Sequence, residues 1–226
     1  MTAINCVPQG KVGYLYTDTA HTHLETGEVV FLGPKMLIGR SFPWAIGITG
    51  FTSALGHLMT ATNVEPPKNV VGLVRALPDI VARTVELAGA PIPGDNRSLG
   101  LTVLVWDARK GCTRVFLIDN DGSMTGGLGV SPFEAVEVDW SATGAAPDYY
   151  LGRQVNVRDR RSFDPHADGI ALMEGQRREM RWGPTPTALK CARIGGEIQV
   201  AKVTGAGVQH SILHQWPDFV GERIAA

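Results

Sequence analysis

The chain has 226 residues, of which 44% are hydrophobic and 19% are charged, with a formal net charge of −1 at pH 7. This composition is typical of a globular protein and excludes the disordered and fibrous classes. No stretch approaches eighteen uninterrupted apolar residues, which excludes a membrane-spanning helix. The near-zero net charge provides no excess of positive charge for nucleic acid or an anionic membrane, so we expect neither as a partner.

The chain is predicted to form one cytoplasmic domain over residues 1–226. A chain of this length can bury a single large core, and its first twenty residues lack the basic start and apolar run of a secretory signal. Cys6, Cys112 and Cys191 are widely spaced without a CxxC pattern, which predicts free thiols. No pattern predicts a cofactor or metal; His21 and His23 alternate in a polar loop and are interpreted as surface residues.

The first third of the chain has the pattern of short strands separated by turns. These predicted strands cover residues 3–7, 12–18, 29–32, 35–38 and 45–48. After residue 51 apolar residues recur at helical spacing, and a second helix is predicted from about Asn69. Pro78 is expected to kink this helix or divide it in two.

The rest of the chain returns to strands, with one more helix. Strands are predicted at 101–106, 114–118 and 135–140, a helix at 165–181, and strands at 197–203 and 209–214. Blocks of strands flanked by blocks of helices favour an α+β fold with sheets stacked inside helical layers, rather than an alternating parallel α/β fold.

A threonine directly follows the initiator methionine. If Met1 is removed, Thr2 becomes a free chain end that carries its own base, because an α-amino group with a pKa of about 7.7–8.0 can accept the hydroxyl proton. By itself a Met-Thr start has little specificity.

Three segments that follow Thr2 make the start of the chain more specific. They are VGYLYTDTA at residues 12–20, GPKM at 33–36 and WAIGITG at 44–50. In this order they resemble the opening of a proteasome β-type subunit, an N-terminal nucleophile hydrolase with a strand ending in Asp, a hairpin carrying Lys and a Gly turn before the first helix. Asp18 follows Thr2 by 16 positions, the family's usual interval, and Lys35 follows it by 33, one more than usual. The order of the later elements extends the resemblance over nearly the whole chain and implies a four-layer αββα sandwich.

The resemblance also implies a role for each matching residue. Thr2 would be both nucleophile and base, Lys35 would lie beside its hydroxyl, and Asp18 would hold Lys35 charged and oriented. Gly50 matches the residue whose backbone N–H faces the developing oxyanion. Thr143 falls where the family has a serine in the proton network, and Ser141 is a weaker alternative.

Three functions remain in competition. The first is a threonine-type peptidase that forms an acyl-enzyme on Thr2; the resemblance then implies peptides or unfolded polypeptides as substrates, a homo-oligomeric ring and an ATPase partner. The second is a non-catalytic assembly or binding subunit, favoured because residues 189–196, LKCARIGG, lack the Asp that the family has before its late glycine pair. The third is a small-molecule amidase of the wider N-terminal nucleophile class.

Overall fold

The computed structural model describes residues 2–23, 25–51, 53–64, 66–89, 98–142, 149–150, 153–154, 159–179 and 189–225. The strands are β1 (Ile4–Gln9), β2 (Val12–Thr17), β3 (Ala20–Thr22), β4 (Val29–Leu32), β5 (Met36–Ile38), β6 (Trp44–Gly50), β7 (Leu99–Asp107), β8 (Cys112–Asp119), β9 (Val136–Val138), β10 (Ser141–Ala142), β11 (Tyr149–Tyr150), β12 (Arg153–Gln154), β13 (Glu197–Thr204) and β14 (Gly207–Gln215). The helices are α1 (Ala54–Val64), α2 (Val70–Leu87) and α3 (Ala167–Arg178), with a short 3-10 turn at Gly126–Leu128.

Two five-stranded sheets carry the fold. The first has the strand order β10-β1-β2-β13-β14 and the second β5-β6-β7-β8-β9, and the pairings within both are antiparallel. The pairs β3-β4 and β11-β12 form two smaller sheets. Antiparallel sheets with helices in separate blocks define an α+β protein, as the sequence predicted.

Alternate side chains of the second sheet enter two different apolar clusters, as expected from the period of a strand. One face packs against α1 and α2. This helix-facing cluster includes Trp44, Ile46, Ile48, Leu58, Leu73, Leu77, Leu101, Val103, Val105, Phe116 and Ile118.

The other face of the second sheet packs against the first sheet. The shared cluster contains Ile4, Cys6, Leu15, Met36, Ala45, Leu104, Val115, Ala201 and Val203. Gly47 permits the close approach of the two sheets, because a Cβ atom there would lie only 2.7 Å from Cγ2 of Ile4.

The outer face of the first sheet packs against α3. Its cluster includes Ala3, Val7, Tyr16, Ala171, Leu172, Met173, Ile198 and Val200. Asn5 and Gln176 are buried at the same contact and exchange two side-chain hydrogen bonds of 2.8 and 2.9 Å, so each amide of this pair has a partner.

Most predicted elements are confirmed to within a few residues, and of the two outcomes predicted at Pro78, a kink or a division of the helix, the division does not occur. The helix α2 begins after Asn69, whose side chain accepts the Gly72 amide at 2.9 Å, and it continues through Pro78 without dividing. Buried apolar residues on both sides of Pro78 hold the two halves against one sheet, so tertiary packing outweighs the missing backbone donor.

The cysteines are free, as predicted, with Cys6 and Cys191 buried and Cys112 half-buried. Within the described residues, no helix is both long and apolar enough to cross a membrane.

We expect the substitution Pro78→Ala to raise the free energy of unfolding by about 1–3 kcal/mol, because it restores a helical N–H donor and removes a ring clash. Chemical denaturation measures this change. Asp79→Ala, the exposed neighbour, is the matched control and should shift stability by less than about 0.7 kcal/mol. A Pro78→Ala variant that is less stable than the wild type would contradict the prediction.

Candidate active site

The ends of several strands converge at one edge of the first sheet. Asp18 directly follows β2, and Gly195 lies just before β13; since β2 and β13 pair antiparallel, these two positions are neighbours. Thr2 and Ala3 precede β1, whose start pairs with the end of β2. Lys35 lies just before β5, at the edge of the second sheet. The topology therefore brings together residues that are far apart in the sequence.

Asp18 is the centre of this arrangement. Its carboxylate is fully buried and accepts the Ala3 amide at 3.0 Å and the Gly195 amide at 3.3 Å. The ammonium of Lys35 donates to both oxygens, at 2.9 and 2.8 Å. Backbone amides and a cation on the same carboxylate stabilise its ionised form.

Lys35 is as buried as its partner, with 3% of its surface exposed. Besides Asp18, its ammonium donates to the carbonyl of Ala20 at 2.5 Å. These three acceptors match the three N–H donors of an ammonium group, so the charge is held in one position. Burial lowers the pKa of Lys35, and the Asp18 carboxylate partly offsets this effect.

Thr2 is next to the ion pair through the backbone. Only 7% of its surface is exposed, and the amide that follows it in the chain, that of Ala3, is the one bound by Asp18. Asp18 therefore contacts both Lys35 and the amide next to Thr2; that the ammonium of Lys35 lies beside the hydroxyl of Thr2 stays a prediction.

Gly50 lies at the end of β6, exposed, with a φ of +138°. A Cβ atom there would overlap the carbonyl oxygen of Ser98, so the backbone requires glycine. The same strand is tied to Lys35, whose carbonyl accepts the Ile48 amide at 2.9 Å. That the Gly50 amide binds an oxyanion stays a prediction. Thr143 lies outside the described residues, and Ser141 is in β10, paired with Cys6 of β1.

His21 is not the plain surface residue that the sequence predicted. It lies in β3, is half-buried, and stacks on Phe31 with ring centroids 3.9 Å apart. Burial lowers the pKa of His21 to about 4, and the nearby charge of Lys35 acts in the same direction. The imidazole is therefore neutral at pH 7. Across the described part of the chain, no group of three or more His, Cys, Asp or Glu side chains could hold a metal ion.

Sequence reasoning missed the backbone groups and one carboxylate near the site. The carbonyl of Ala20 and the amide of Gly195 have no side-chain signature, although the glycine pair itself was visible. Asp218, in the C-terminal segment, accepts the Gly196 amide at 2.7 Å and forms an ion pair with Arg177 of α3. A carboxylate is thus present beside the glycine pair, supplied from a later part of the chain than the family pattern would suggest.

No protein-family model matches this chain, and a search of curated proteins found no match either. The resemblance to proteasome β-type subunits therefore rests on the order of the elements and on the spacing of Thr2, Asp18 and Lys35. Any function inferred for the chain depends on the geometry of these residues.

Removing one member of the buried ion pair should strongly destabilise the protein. We expect Asp18→Asn or Lys35→Met to lower the free energy of unfolding by about 3–5 kcal/mol, because each leaves an unpaired buried group. The double variant should lose less than the sum of the two, and denaturation of all four proteins measures this coupling. The exposed pair Arg160 and Asp139, 3.9 Å apart, is the control; Arg160→Ala should cost less than about 1 kcal/mol. Additive effects of Asp18→Asn and Lys35→Met would contradict the prediction.

The low pKa of His21 predicts a dependence of stability on pH. Between about pH 4 and 6.5 the unfolded chain binds the His21 proton more tightly than the folded chain, so stability falls as the pH falls through this window. For a half-buried ring we expect a contribution on the order of 1 kcal/mol. His21→Gln should therefore reduce the loss of stability between pH 7 and pH 4.5, measured by denaturation. His210→Gln, at an exposed position, should leave that loss unchanged, and equal slopes for all three proteins would disprove the role of His21.

Proposed function

We propose that the chain is a threonine-type N-terminal nucleophile hydrolase that cleaves peptide bonds through an acyl-enzyme on Thr2. The observation that carries this proposal is the buried contact of Asp18 with both Lys35 and the amide of Ala3. The Asp18 carboxylate thus binds both the cation and the amide that follows Thr2, and buried charges next to a candidate nucleophile are typical of active sites.

The proposed reaction requires Thr2 to be the free chain end, after removal of Met1. The α-amino group takes the proton from the Thr2 hydroxyl as the oxygen attacks the substrate carbonyl. The resulting tetrahedral oxyanion collapses, the C–N bond breaks, and the leaving amine receives that proton. Water, activated by the freed α-amine, then hydrolyses the ester on Thr2 and restores the hydroxyl.

Lys35 contributes charge rather than a transferred proton. Its three N–H donors are directed to Asp18 and Ala20, so in the proposed mechanism the ammonium acts on the alkoxide of Thr2 through its charge. The same positive charge depresses the pKa of a nearby α-amine and keeps more of it in the basic form at neutral pH. Gly50 would supply a backbone N–H to the oxyanion, and Thr143 would support the proton network.

The proposal includes a four-layer αββα arrangement. It is supported by three apolar clusters, one joining α1 and α2 to the second sheet, one joining the two sheets, and one joining the first sheet to α3. In such an arrangement the ends of the strands of both sheets meet at one edge, where Asp18 and Lys35 are found.

Peptides or unfolded polypeptides are the proposed substrates, in a homo-oligomer. Exposed apolar residues on β4 and in the C-terminal segment support self-association, since apolar groups at such exposure are typical of interaction surfaces. They are Val30, Phe31, Leu32, Phe219 and Val220.

The decisive experiment treats the purified protein with a peptide epoxyketone or a β-lactone and measures intact and peptide masses. We expect loss of Met1 and one adduct on Thr2. Thr2→Ala should abolish the adduct and Thr2→Ser should retain it. Lys35→Met should slow its formation by about 10²-fold or more, because the alkoxide loses its charge stabilisation.

Circular dichroism of each variant separates lost chemistry from lost folding. Thr60→Ala, at an exposed threonine of α1, is the matched control and should label like the wild type. A mature protein that keeps Met1, or that stays unlabelled although Met1 is removed, would overturn the hydrolase proposal.

A binding or assembly subunit of the same fold is the second candidate. The exposed apolar residues of β4 favour it, because they provide a surface for a partner whether or not the site is reactive. In that case the Asp18–Lys35 pair would act only in stability, and the labelling experiment would give no adduct while the variants at Asp18 and Lys35 still unfolded more easily.

A further inference from the structure

We propose that Asp218 is a positioning residue for the candidate active site: with Arg177 it fixes the two peptide groups on either side of Gly195, and these fix Asp18 and Ala20. The inference rests on the proposed function for its catalytic consequence. The contacts that carry it run from the C-terminal segment, residues 216–225, to the edge of the first sheet.

Asp218 and Arg177 form a bidentate pair that is almost completely buried. Both guanidinium nitrogens Nη1 and Nη2 lie 2.7 Å from the carboxylate oxygens, and the two side chains are 3% and 6% exposed. Oδ2 of Asp218 also accepts the Gly196 amide at 2.7 Å. A charge-assisted pair of this geometry has a defined orientation as well as strength, so it can define the position of the backbone that it touches.

Arg177 anchors the same backbone from the other side. Its Nη1 donates to the carbonyl of Ile194 at 2.9 Å, and its Nη2 donates to the carbonyl of Ala225 at 2.7 Å. The guanidinium also lies over the ring of Trp216, 4.7 Å from the centroid. Arg177 and Asp218 together therefore join α3, the C-terminal segment and the backbone on both sides of Gly195.

The backbone amide and carbonyl of Gly195 both contact residues of the candidate site. Its amide donates to Oδ2 of Asp18 at 3.3 Å. Its carbonyl accepts the amides of Thr19 and Ala20 at 3.1 and 3.0 Å, and the carbonyl of Ala20 is the second acceptor of Lys35. A shift of the Gly195 backbone is therefore transmitted to both members of the ion pair.

The side chains of Asp218 and Arg177 are closely packed against the backbone of Gly195. A Cβ atom at residue 195 would overlap Oδ2 of Asp218 and lie 2.8 Å from Nη1 of Arg177, so the two side chains rest directly on the Gly195 backbone. Misplacement of a reacting group by about 1 Å can cost on the order of 10²-fold in rate. The pair is close enough to the site for such a displacement to follow from its loss.

The test compares three variants of the full chain. Asp218→Asn removes the charge, and the double variant Asp218→Asn with Arg177→Met removes both charges, so that no unpaired buried ion is left to unfold the protein. Asp107→Asn is the matched control, because Asp107 also pairs with an arginine, Arg114, at 2.9 Å and accepts two backbone amides. Asp107 lies at the opposite end of the sheets from Asp18, beside the β1–β2 turn.

The first measurement is the rate of epoxyketone labelling of Thr2 as a function of pH. We expect both Asp218 variants to label at least about 10-fold more slowly, and the pH midpoint to move upward, because a displaced ammonium depresses the pKa of the α-amine less. Asp107→Asn should label within about 2-fold of the wild type. Wild-type rate and pH midpoint in the folded double variant would overturn the inference.

The second measurement does not depend on catalysis. Amide hydrogen exchange at Ala3 and Gly195, both of which donate to Asp18, should be at least about 10-fold faster in the double variant than in Asp107→Asn. If the wild type does not label at all, the proposed function fails, and the exchange rates still decide the positioning role. Unchanged exchange at both amides would disprove that role.

Discussion

The buried ion pair of Asp18 and Lys35 is the constraint on which the rest of the candidate site depends. Taking two charges out of water is costly, and the cost is offset only where hydrogen bonds satisfy the remaining donors and acceptors. Here the amides of Ala3 and Gly195 and the carbonyl of Ala20 do so. The starts of β1, β3 and β13 and the end of β2 must therefore keep their relative positions for the pair to remain buried. The same contacts fix the positions of the groups that the proposed reaction would use.

The strands bury apolar side chains along their length and bind charged side chains at their ends. Along their length the strands bury apolar side chains on both faces, and this requires neutral, close-packed surfaces such as the contact of Gly47 with Ile4. At the strand ends, backbone amides and carbonyls that are not paired with a neighbouring strand form hydrogen bonds with charged side chains. A hydrolase and a binding subunit can share this architecture, and what distinguishes them is whether a free amine lies at Thr2.

Much of the fold follows from sequence patterns, and the site follows only in part. Short apolar segments between turn residues predicted β1, β2, β7 and β13, and the resemblance to a proteasome β-type subunit implied the contact of Asp18 with Lys35. Pro78 does not divide α2, because a local rule about proline in helices does not include the packing against the sheet. His21 was assigned to the surface because its stacking on Phe31 depends on a hairpin register that the sequence does not reveal. Asp218 and Arg177 carry no motif at all, since their meeting depends on how a late segment folds back across α3.

That folding back has a consequence for how the protein matures. The carboxylate of Asp18 accepts the Gly195 amide from 177 residues later in the chain, and Asp218 holds the next amide, that of Gly196, from a still later segment. Contacts of such long sequence separation form late, because the entropy of closing the loop must be overcome first. A nascent chain can therefore assemble its core while Asp18 and Lys35 are still incompletely held. We therefore expect the edge of the first sheet that carries the candidate site to become ordered later than the pairing of β6, β7 and β8, which are consecutive strands of the chain.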